Sequence, residues 1–165
     1  MSIRAIGLDL GTTHIKACVY YLSDRAPSLV IKKAPEILVD GERCVSDAMA
    51  YIAIIKEVLD EASSAMDASD RKIPLGVCSQ RSSFLIWDKY SAKPLTGLIS
   101  WQDRRAQPWC EQHSNLKKKI AELSGLVLSP HYIAPKLATL IANSPTLADG
   151  LEQGNYLWGT IDCYM

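Results

Sequence analysis

The sequence has no excess of charge of either sign. Lysine plus arginine and aspartate plus glutamate each number 18 in 165 residues, so the formal net charge is zero. Partners such as nucleic acids and anionic membranes are bound through strongly basic surfaces. The balance therefore predicts no nucleic acid and no membrane as a partner.

Paired cysteine spacings are also missing. The five cysteines are odd in number and scattered, none in C-x-x-C spacing, and only three histidines accompany them. Zinc sites and disulfide frameworks require paired spacings of these residues. We therefore expect neither, and we expect a reducing, cytoplasmic location.

Long hydrophobic runs are absent as well. No apolar run reaches the roughly 20 residues of a transmembrane helix, and the first residues lack the pattern of a signal peptide. The 165 residues, 48% of them hydrophobic, are enough to bury the core of one domain.

The first stretch that suggests chemistry reads as two strands, residues 3–10 and 15–22, joined by a short polar turn. A β-hairpin with a threonine-rich turn would explain this pattern equally well. The turn is neither a G-x-x-x-x-G-K-[ST] loop nor a G-x-G-x-x-G loop.

The groups around this turn suit a nucleotide's phosphates and their magnesium ion. Gly11 lets the backbone approach an anion, and Thr12 and Thr13 supply hydroxyl donors. Lys16 adds a positive charge, and Asp9 offers a hard carboxylate to a hard cation.

The remaining pattern alternates strands and helices. Strands are predicted at residues 28–32, 73–79 (buried), 84–88 and 156–158, and residues 34–43 read as irregular. Helices are predicted from Ser46 as N-cap to an end near 67–72, from Arg104, from Leu116 to a stop at Gly125, from Pro135 to 143–145, and after Thr160. Turns are predicted at 149–150 and 153–154.

The chain stops soon after the last predicted helix begins. A helix of so few residues is marginal without further turns to pack against. The sequence therefore suggests a fragment of a longer protein.

Three polar clusters follow predicted strands, where α/β proteins build their sites. Arg81 in the first can bind hydroxyls or anions, or can be a surface residue on a turn. Trp101 in the second can cover the C–H face of a sugar while Gln102 and Asp103 bond hydroxyls, or these residues can simply form a strand-to-helix junction. His131 in the third lies in a proline-flanked loop and can equally be structural.

Taken in order, these stretches resemble the FGGY carbohydrate kinases, and within them the glycerol kinase branch. The matching segments are residues 7–13, 76–81, 84–88, 99–105, 125–130 and 158–162. The resemblance implies an α/β fold of the actin-like, ribonuclease-H-like ATPase type, a mixed sheet flanked by helices. Residues 1–165 would be part of the N-terminal domain of a two-domain kinase that closes over ATP, magnesium and a sugar or polyol.

The resemblance also implies roles for particular residues on the nucleotide side. Thr12, Thr13 and His14 would meet the ATP phosphates at the Gly11 turn, with Lys16 nearby. Asp9 would act on magnesium through water.

On the acceptor side, Arg81 and Trp101 match positions that line the polyol site. Ser82 and His131 stand where glycerol kinases carry a glutamate and a tyrosine that contact glycerol, so the substrate is left open between sugars and polyols. Asp103 replaces a cysteine common in glycerol kinases, and sugar-specific members carry aspartate there.

The implied reaction is phosphoryl transfer from ATP to a hydroxyl group. The family's catalytic aspartate is expected beyond residue 165, and the adenine pocket in the second domain, so we expect the chain alone to be inactive. The alternative is a non-catalytic, actin-like nucleotide-binding or interaction module. The sequence leaves a homo-oligomer open.

Overall fold

The structure is a computed structural model that describes residues 3–64 and 72–165. The chain divides into two compact units, which we describe separately. Unit 1 comprises Met1–Glu36, Asp47–Gln80 and Thr160–Met165, and unit 2 comprises Ile37–Ser46 and Arg81–Gly159. Across the described ranges, no helix has both the length and the apolar character needed to cross a bilayer.

Unit 1 is built on a four-stranded mixed sheet. Its elements are β1 (Ile3–Leu10), β2 (His14–Tyr21), β3 (Ser28–Lys33), α1 (Ala48–Ser63), β6 (Leu75–Ser79) and α6 (Ile161–Tyr164). The strand order is β3-β2-β1-β6, antiparallel except for the parallel pair of β1 with β6. Alternate residues of β1 and β2 are buried, so the predicted hairpin is confirmed.

Helix α1 begins one residue later than predicted. The side chain of Asp47, not of Ser46, accepts hydrogen bonds from the N–H groups of Met49 and Ala50. A carboxylate at this position satisfies two of the free N–H groups of the first turn. The predicted end of the helix near residues 67–72 falls mostly on 65–71, which lie outside the described residues.

The prediction of a buried strand at residues 73–79 is wrong in its burial. In β6, Leu75 is 46% exposed and Val77 is 45% exposed. The strand lies at the end of the sheet and pairs with β1 alone among the described strands. An apolar run indicates a strand but does not show how many neighbours cover it.

Unit 2 contains shorter strands and four helices. Its elements are β4 (Leu38–Asp40), β5 (Arg43–Ser46), β7 (Leu85–Asp88), β8 (Leu98–Ile99), α2 (Gln107–Gln112), α3 (Lys117–Ser124), α4 (Ile133–Ala142), α5 (Pro145–Glu152) and β9 (Tyr156–Gly159). An antiparallel sheet has the order β4-β5-β8, and β7 pairs with β9. Phe84, Ile86 and Ile99 form a buried hydrophobic cluster in this unit.

Several boundaries in unit 2 differ from the prediction. Strand β4 lies within the segment predicted to be irregular, and the predicted turn at 149–150 lies inside α5. Helix α2 begins at Gln107 instead of Arg104. Pro135 lies in the first turn of α4, where its missing N–H costs no helical hydrogen bond. Helix α3 stops at Gly125, whose φ of 70° is left-handed, as predicted.

Candidate functional site

The predicted phosphate turn lies at one edge of the sheet of unit 1. Because β1 and β6 are parallel, both strands end at this edge, with Leu10 beside Ser79. Gly11 and Thr12 follow β1, and Gln80 follows β6. The Thr12 hydroxyl donates a hydrogen bond of 3.1 Å to Oε1 of Gln80. The turn is therefore tied to the neighbouring strand.

Helix α1 holds the same turn from a second side. The hydroxyl of Tyr51 donates to the Gly11 carbonyl at 2.6 Å and accepts from Nε2 of Gln80 at 3.4 Å. Tyr51 is only 1% exposed, and burial raises the pKa of its hydroxyl to about 12. The hydroxyl therefore keeps its proton, and its donor role, at neutral pH.

Sequence reasoning missed Tyr51 and gave Gln80 no role. Tyr51 belongs to the buried face of α1, whose other residues are Ala48, Ile55, Val58 and Ala62. These residues follow the three- and four-residue spacing of a helix face. The spacing could therefore have identified Tyr51 as buried, although not its bond to Gly11.

The backbone passes very close to itself at Gly11. A Cβ atom added there would lie 2.6 Å from the carbonyl oxygen of His14. The carbonyl of Thr13 accepts from the N–H of Ala34 at 2.9 Å. Thr13 and His14 are exposed, so the turn presents side chains to solvent on a fixed backbone.

Asp9 and Lys16 face each other across β1 and β2. Their side chains form an ion pair of 3.0 Å in which Asp9 is 49% exposed. Within the described residues, no group of three or more His, Cys, Asp or Glu side chains could hold a metal ion. Magnesium, however, keeps most of its waters and binds through one or two carboxylates together with phosphate oxygens. A half-exposed carboxylate beside a hydroxyl-rich turn fits that donor set.

A second carboxylate in unit 1 is fixed near the end of β6. The hydroxyl of Ser79 donates to Oδ1 of Asp162, in the first turn of α6. This hydrogen bond lowers the pKa of the Asp162 carboxyl below its usual value. The sequence pattern had placed Asp162 in a matching segment without a role.

Replacement of Tyr51 by phenylalanine tests the support of the turn. It removes the hydroxyl and leaves the Gly11 carbonyl without this donor, so we expect the free energy of unfolding to fall by about 1–2 kcal/mol. Urea denaturation followed by circular dichroism measures the change. The matched control is Tyr90→Phe, at a site 77% exposed. Equal effects of the two substitutions would contradict the assigned role of Tyr51.

In unit 2, the structure brings together two of the predicted acceptor residues. The rings of Trp101 and His131 are edge-to-face with centroids 5.6 Å apart, and Trp101 is 37% exposed. The backbone N–H of Trp101 donates to the Ser83 hydroxyl at 2.8 Å. The ring of Tyr132 is also edge-to-face with that of His131, with centroids 5.3 Å apart. His131 thus contacts two aromatic rings, and both His131 and Trp101 are exposed.

Asp103, two residues after Trp101, is fully buried. Its carboxylate accepts two hydrogen bonds from the Arg105 guanidinium, at 2.8 and 2.7 Å, and one from the N–H of Cys44 at 2.8 Å. Both oxygens are therefore engaged in contacts that join β5 to the segment after β8. The observed contacts are structural, and the role of Asp103 in acceptor binding stays a prediction.

The third feature of unit 2 is a buried lysine that sequence reasoning missed. Lys136 in α4 has no exposed surface, and its ammonium donates to the carbonyls of Ser100 at 2.8 Å and Ser82 at 3.2 Å. Burial lowers its pKa to about 8. Ser82 itself has a left-handed backbone with a φ of 63°, while Arg81 is exposed on the adjoining turn.

Known proteins match the chain along almost its whole length. The family described as the FGGY family of carbohydrate kinases, N-terminal domain, matches residues 4–165. A glycerol kinase of Halorhodospira halophila is 30% identical over 166 residues, covering 97% of this chain and 32% of that protein. An apulose kinase of Pectobacterium atrosepticum is 32% identical over 164 residues, with the same two coverages. The chain thus spans about a third of the length of these curated relatives.

Solved structures show the same fold. The crystal structure of Plasmodium falciparum glycerol kinase with ADP superposes with a TM-score of 0.86 at 19% identity, covering 99% of this chain and 33% of that one. The predicted actin-like, ribonuclease-H-like fold with a mixed sheet flanked by helices is therefore confirmed.

Proposed function

The chain belongs to the FGGY family of carbohydrate kinases, and from this premise we propose that it supplies the phosphate- and acceptor-binding part of an ATP-dependent sugar or polyol kinase. Residues 1–165 would form part of the N-terminal domain of a two-domain enzyme. The observation that carries the proposal is the Gly11 turn, which is held by Tyr51 and Gln80. The turn exposes the side chains of Thr13 and His14.

In unit 1, the proposed ligands are the phosphates of ATP. Thr12, Thr13 and His14 would meet the phosphate oxygens, Thr13 and His14 with their exposed side chains, since Gly11 permits close approach of the backbone. Lys16 would compensate part of their negative charge. Asp9, which Lys16 contacts at 3.0 Å, would hold magnesium through water.

Magnesium, when bound, neutralises the charge that develops on the transferred phosphoryl group. The chain's own contribution is to position the phosphates. A fixed turn pre-orients its donors, so little conformational freedom is lost when an anion binds.

In unit 2, the proposed acceptor residues are Arg81, Ser82, Trp101, Asp103 and His131. The exposed part of the Trp101 ring offers an apolar surface to the C–H groups of a sugar. The Arg81 guanidinium offers several hydrogen-bond donors to the hydroxyls of the sugar. Asp103 would act in part through the buried pair with Arg105, which fixes the backbone next to Trp101.

Two differences leave the substrate open between sugars and polyols and argue against glycerol itself. Ser82 and His131 replace the glutamate and tyrosine that the resemblance places at the glycerol hydroxyls. The resemblance also places the catalytic aspartate beyond residue 165, so we propose that the chain alone does not turn over. The cytoplasmic location stays a prediction, as does the absence of nucleic acid and membrane partners. A homo-oligomer stays open.

The test is ligand binding by isothermal titration calorimetry, with ATP plus magnesium and with a panel of glycerol, xylitol and D-xylose. We expect binding of magnesium-ATP and of at least one acceptor. Binding of nucleotide alone would favour the non-catalytic module instead. Turnover by this chain at the roughly 1–100 per second typical of kinases would contradict a catalytic residue beyond residue 165.

Thr13→Val is expected to weaken magnesium-ATP binding about ten- to a hundredfold, because a hydrogen bond to a charged phosphate contributes roughly 1.5–3 kcal/mol. The side chain keeps its shape and lies on an exposed turn, so the fold should not change. Thr139→Val is the matched control, since its hydroxyl bonds the Pro135 carbonyl within α4. Equal nucleotide affinity of wild type and Thr13→Val would argue against phosphate binding at this turn.

A further inference from the structure

We propose that Lys136 is a positioning residue of the acceptor site, which fixes the two segments that carry Ser82 and Trp101. The inference rests on the proposed function in that these segments contain the proposed acceptor ligands. Lys136 touches neither Arg81 nor Trp101 in any contact described above. It acts through the backbone next to each.

The two carbonyls that Lys136 binds come from segments far apart in sequence. Ser82 precedes β7 and directly follows Arg81, while Ser100 follows β8 and directly precedes Trp101. The Lys136 ammonium donates to both, at 3.2 and 2.8 Å. One side chain of α4 therefore joins the two segments, in addition to the bond between the Trp101 backbone N–H and the Ser83 hydroxyl.

This contact lies just beyond the point where the backbone pairing of the two segments ends. Phe84 and Ile99 exchange N–H···O bonds of 3.1 and 2.8 Å. Ser82 has already left the extended conformation, with a φ of 63°, and cannot continue this pairing. The lysine replaces the missing backbone bonds with two charge-assisted ones.

A third element is attached to the same point. His131, whose ring contacts that of Trp101 at 5.6 Å, lies in the loop that leads into α4. Because Lys136 belongs to that helix, its bonds hold the loop of His131 against the segment of Trp101. Lys136 thus binds two of the three proposed acceptor segments of unit 2 directly, and α4 connects it to the third.

Burying a lysine is energetically unfavourable if the side chain serves packing alone. Removing an ammonium from water costs several kcal/mol unless it finds partners, and the lowered pKa of Lys136 records this cost. An apolar side chain would fill the same space in α4 without it. The lysine is therefore better explained by the two carbonyls it holds than by the volume it fills.

The first test is hydrogen exchange of single amides in Lys136→Met, measured by NMR. We expect the amides of Trp101, bonded to Ser83, and of Asp103, bonded to the Ser100 carbonyl at 3.1 Å, to exchange at least tenfold faster. Amides of β1 and β2 should be unchanged. Lys118→Met is the matched control, because Lys118 is exposed and pairs only weakly with Glu122 at 3.8 Å.

The second test is acceptor affinity, measured by titration calorimetry with the same panel of glycerol, xylitol and D-xylose. Lys136→Met should weaken acceptor binding about tenfold or more and leave magnesium-ATP binding unchanged. If Lys136 acts by placing Trp101, it should cause no further loss in a Trp101→Ala background. Additive losses would overturn the positioning role. Should Lys136→Met fail to fold, Lys136→Gln, which keeps an N–H donor, should show the same changes at smaller size.

The two ways of failing can be told apart. Unchanged exchange at Trp101 in Lys136→Met would overturn the inference while acceptor binding by the wild type stands. Absence of acceptor binding by the wild type would overturn the acceptor role of Lys136 together with the proposed function, even if exchange responds.

Discussion

Asp103→Asn is expected to lower the free energy of unfolding of unit 2 by about 3–5 kcal/mol, the loss seen when one partner of a buried ion pair is removed. Asp103 is fully buried and its partner Arg105 is only 14% exposed at the side chain. The substitution leaves the guanidinium without a counter-charge. It also replaces one accepting oxygen by an NH₂ group, which cannot accept the hydrogen bonds that the guanidinium and the Cys44 N–H donate.

Urea denaturation of the purified chain, followed by circular dichroism, measures this change. The matched control is Asp60→Asn, which removes a carboxylate from the pair with Lys56 at 2.6 Å, where the two side chains are 65% and 76% exposed. Exposed pairs contribute about 0–1 kcal/mol, so the control should change little. A loss for Asp103→Asn as small as that of Asp60→Asn would show that the buried pair does not stabilise the unit.

A double substitution separates the cost of an orphaned charge from the value of the pair. Asp103→Leu combined with Arg105→Met removes both charges and keeps apolar volume. Buried pairs replaced in this way are often neutral or more stable. We therefore expect the double variant to recover much of the stability lost in Asp103→Asn. If it does, the pair serves to fix the backbone around Trp101 more than to hold the unit folded.

The sequence predicted those parts of the fold that depend on local pattern. Strands β1 and β2 were predicted from alternating apolar residues, and alternate residues are buried throughout β2 and from Ile6 to Leu10 in β1. The end of α3 follows from Gly125. The cap of α1 was assigned to the wrong one of two adjacent residues, because Ser46 and Asp47 are both good N-caps and only the local backbone decides between them.

The parts that the sequence did not reveal depend on contacts between distant residues. Lys136 binds carbonyls 54 and 36 residues away, and Tyr51 binds one 40 residues away. Neither position is unusual within its own helix pattern. The turn at Gly11 could be predicted as a phosphate site because all its proposed donors lie within six residues, whereas the groups that hold the turn come from α1 and from Gln80, which follows β6.

The same distinction applies to the observed contacts of Asp103, whose role in acceptor binding stays a prediction. A carboxylate two residues after an exposed tryptophan has the composition of a sugar site. Its burial depends on Arg105 and on the N–H of Cys44, 59 residues away. Local composition could not show that both oxygens were already engaged.

Gly11→Ala is expected to abolish magnesium-ATP binding and to lower the free energy of unfolding of unit 1 by about 1–3 kcal/mol, the usual cost of overpacking. The new Cβ would lie 2.6 Å from the His14 carbonyl oxygen. That oxygen belongs to the backbone at the start of β2, so it can move only if the turn opens. Opening would displace the Gly11 carbonyl from Tyr51 and the Thr12 hydroxyl from Gln80.

Gly7→Ala is the matched control, because Gly7 lies in β1, the strand that leads into the Gly11 turn, and a Cβ there would meet nothing within 4 Å. Calorimetric titration with magnesium-ATP and urea denaturation should both leave Gly7→Ala close to wild type. Nucleotide binding by Gly11→Ala equal to that of Gly7→Ala would show that the close approach at Gly11 is not what forms the anion site. A loss confined to Gly11→Ala would locate phosphate binding at a turn whose shape depends on the absence of one methyl group.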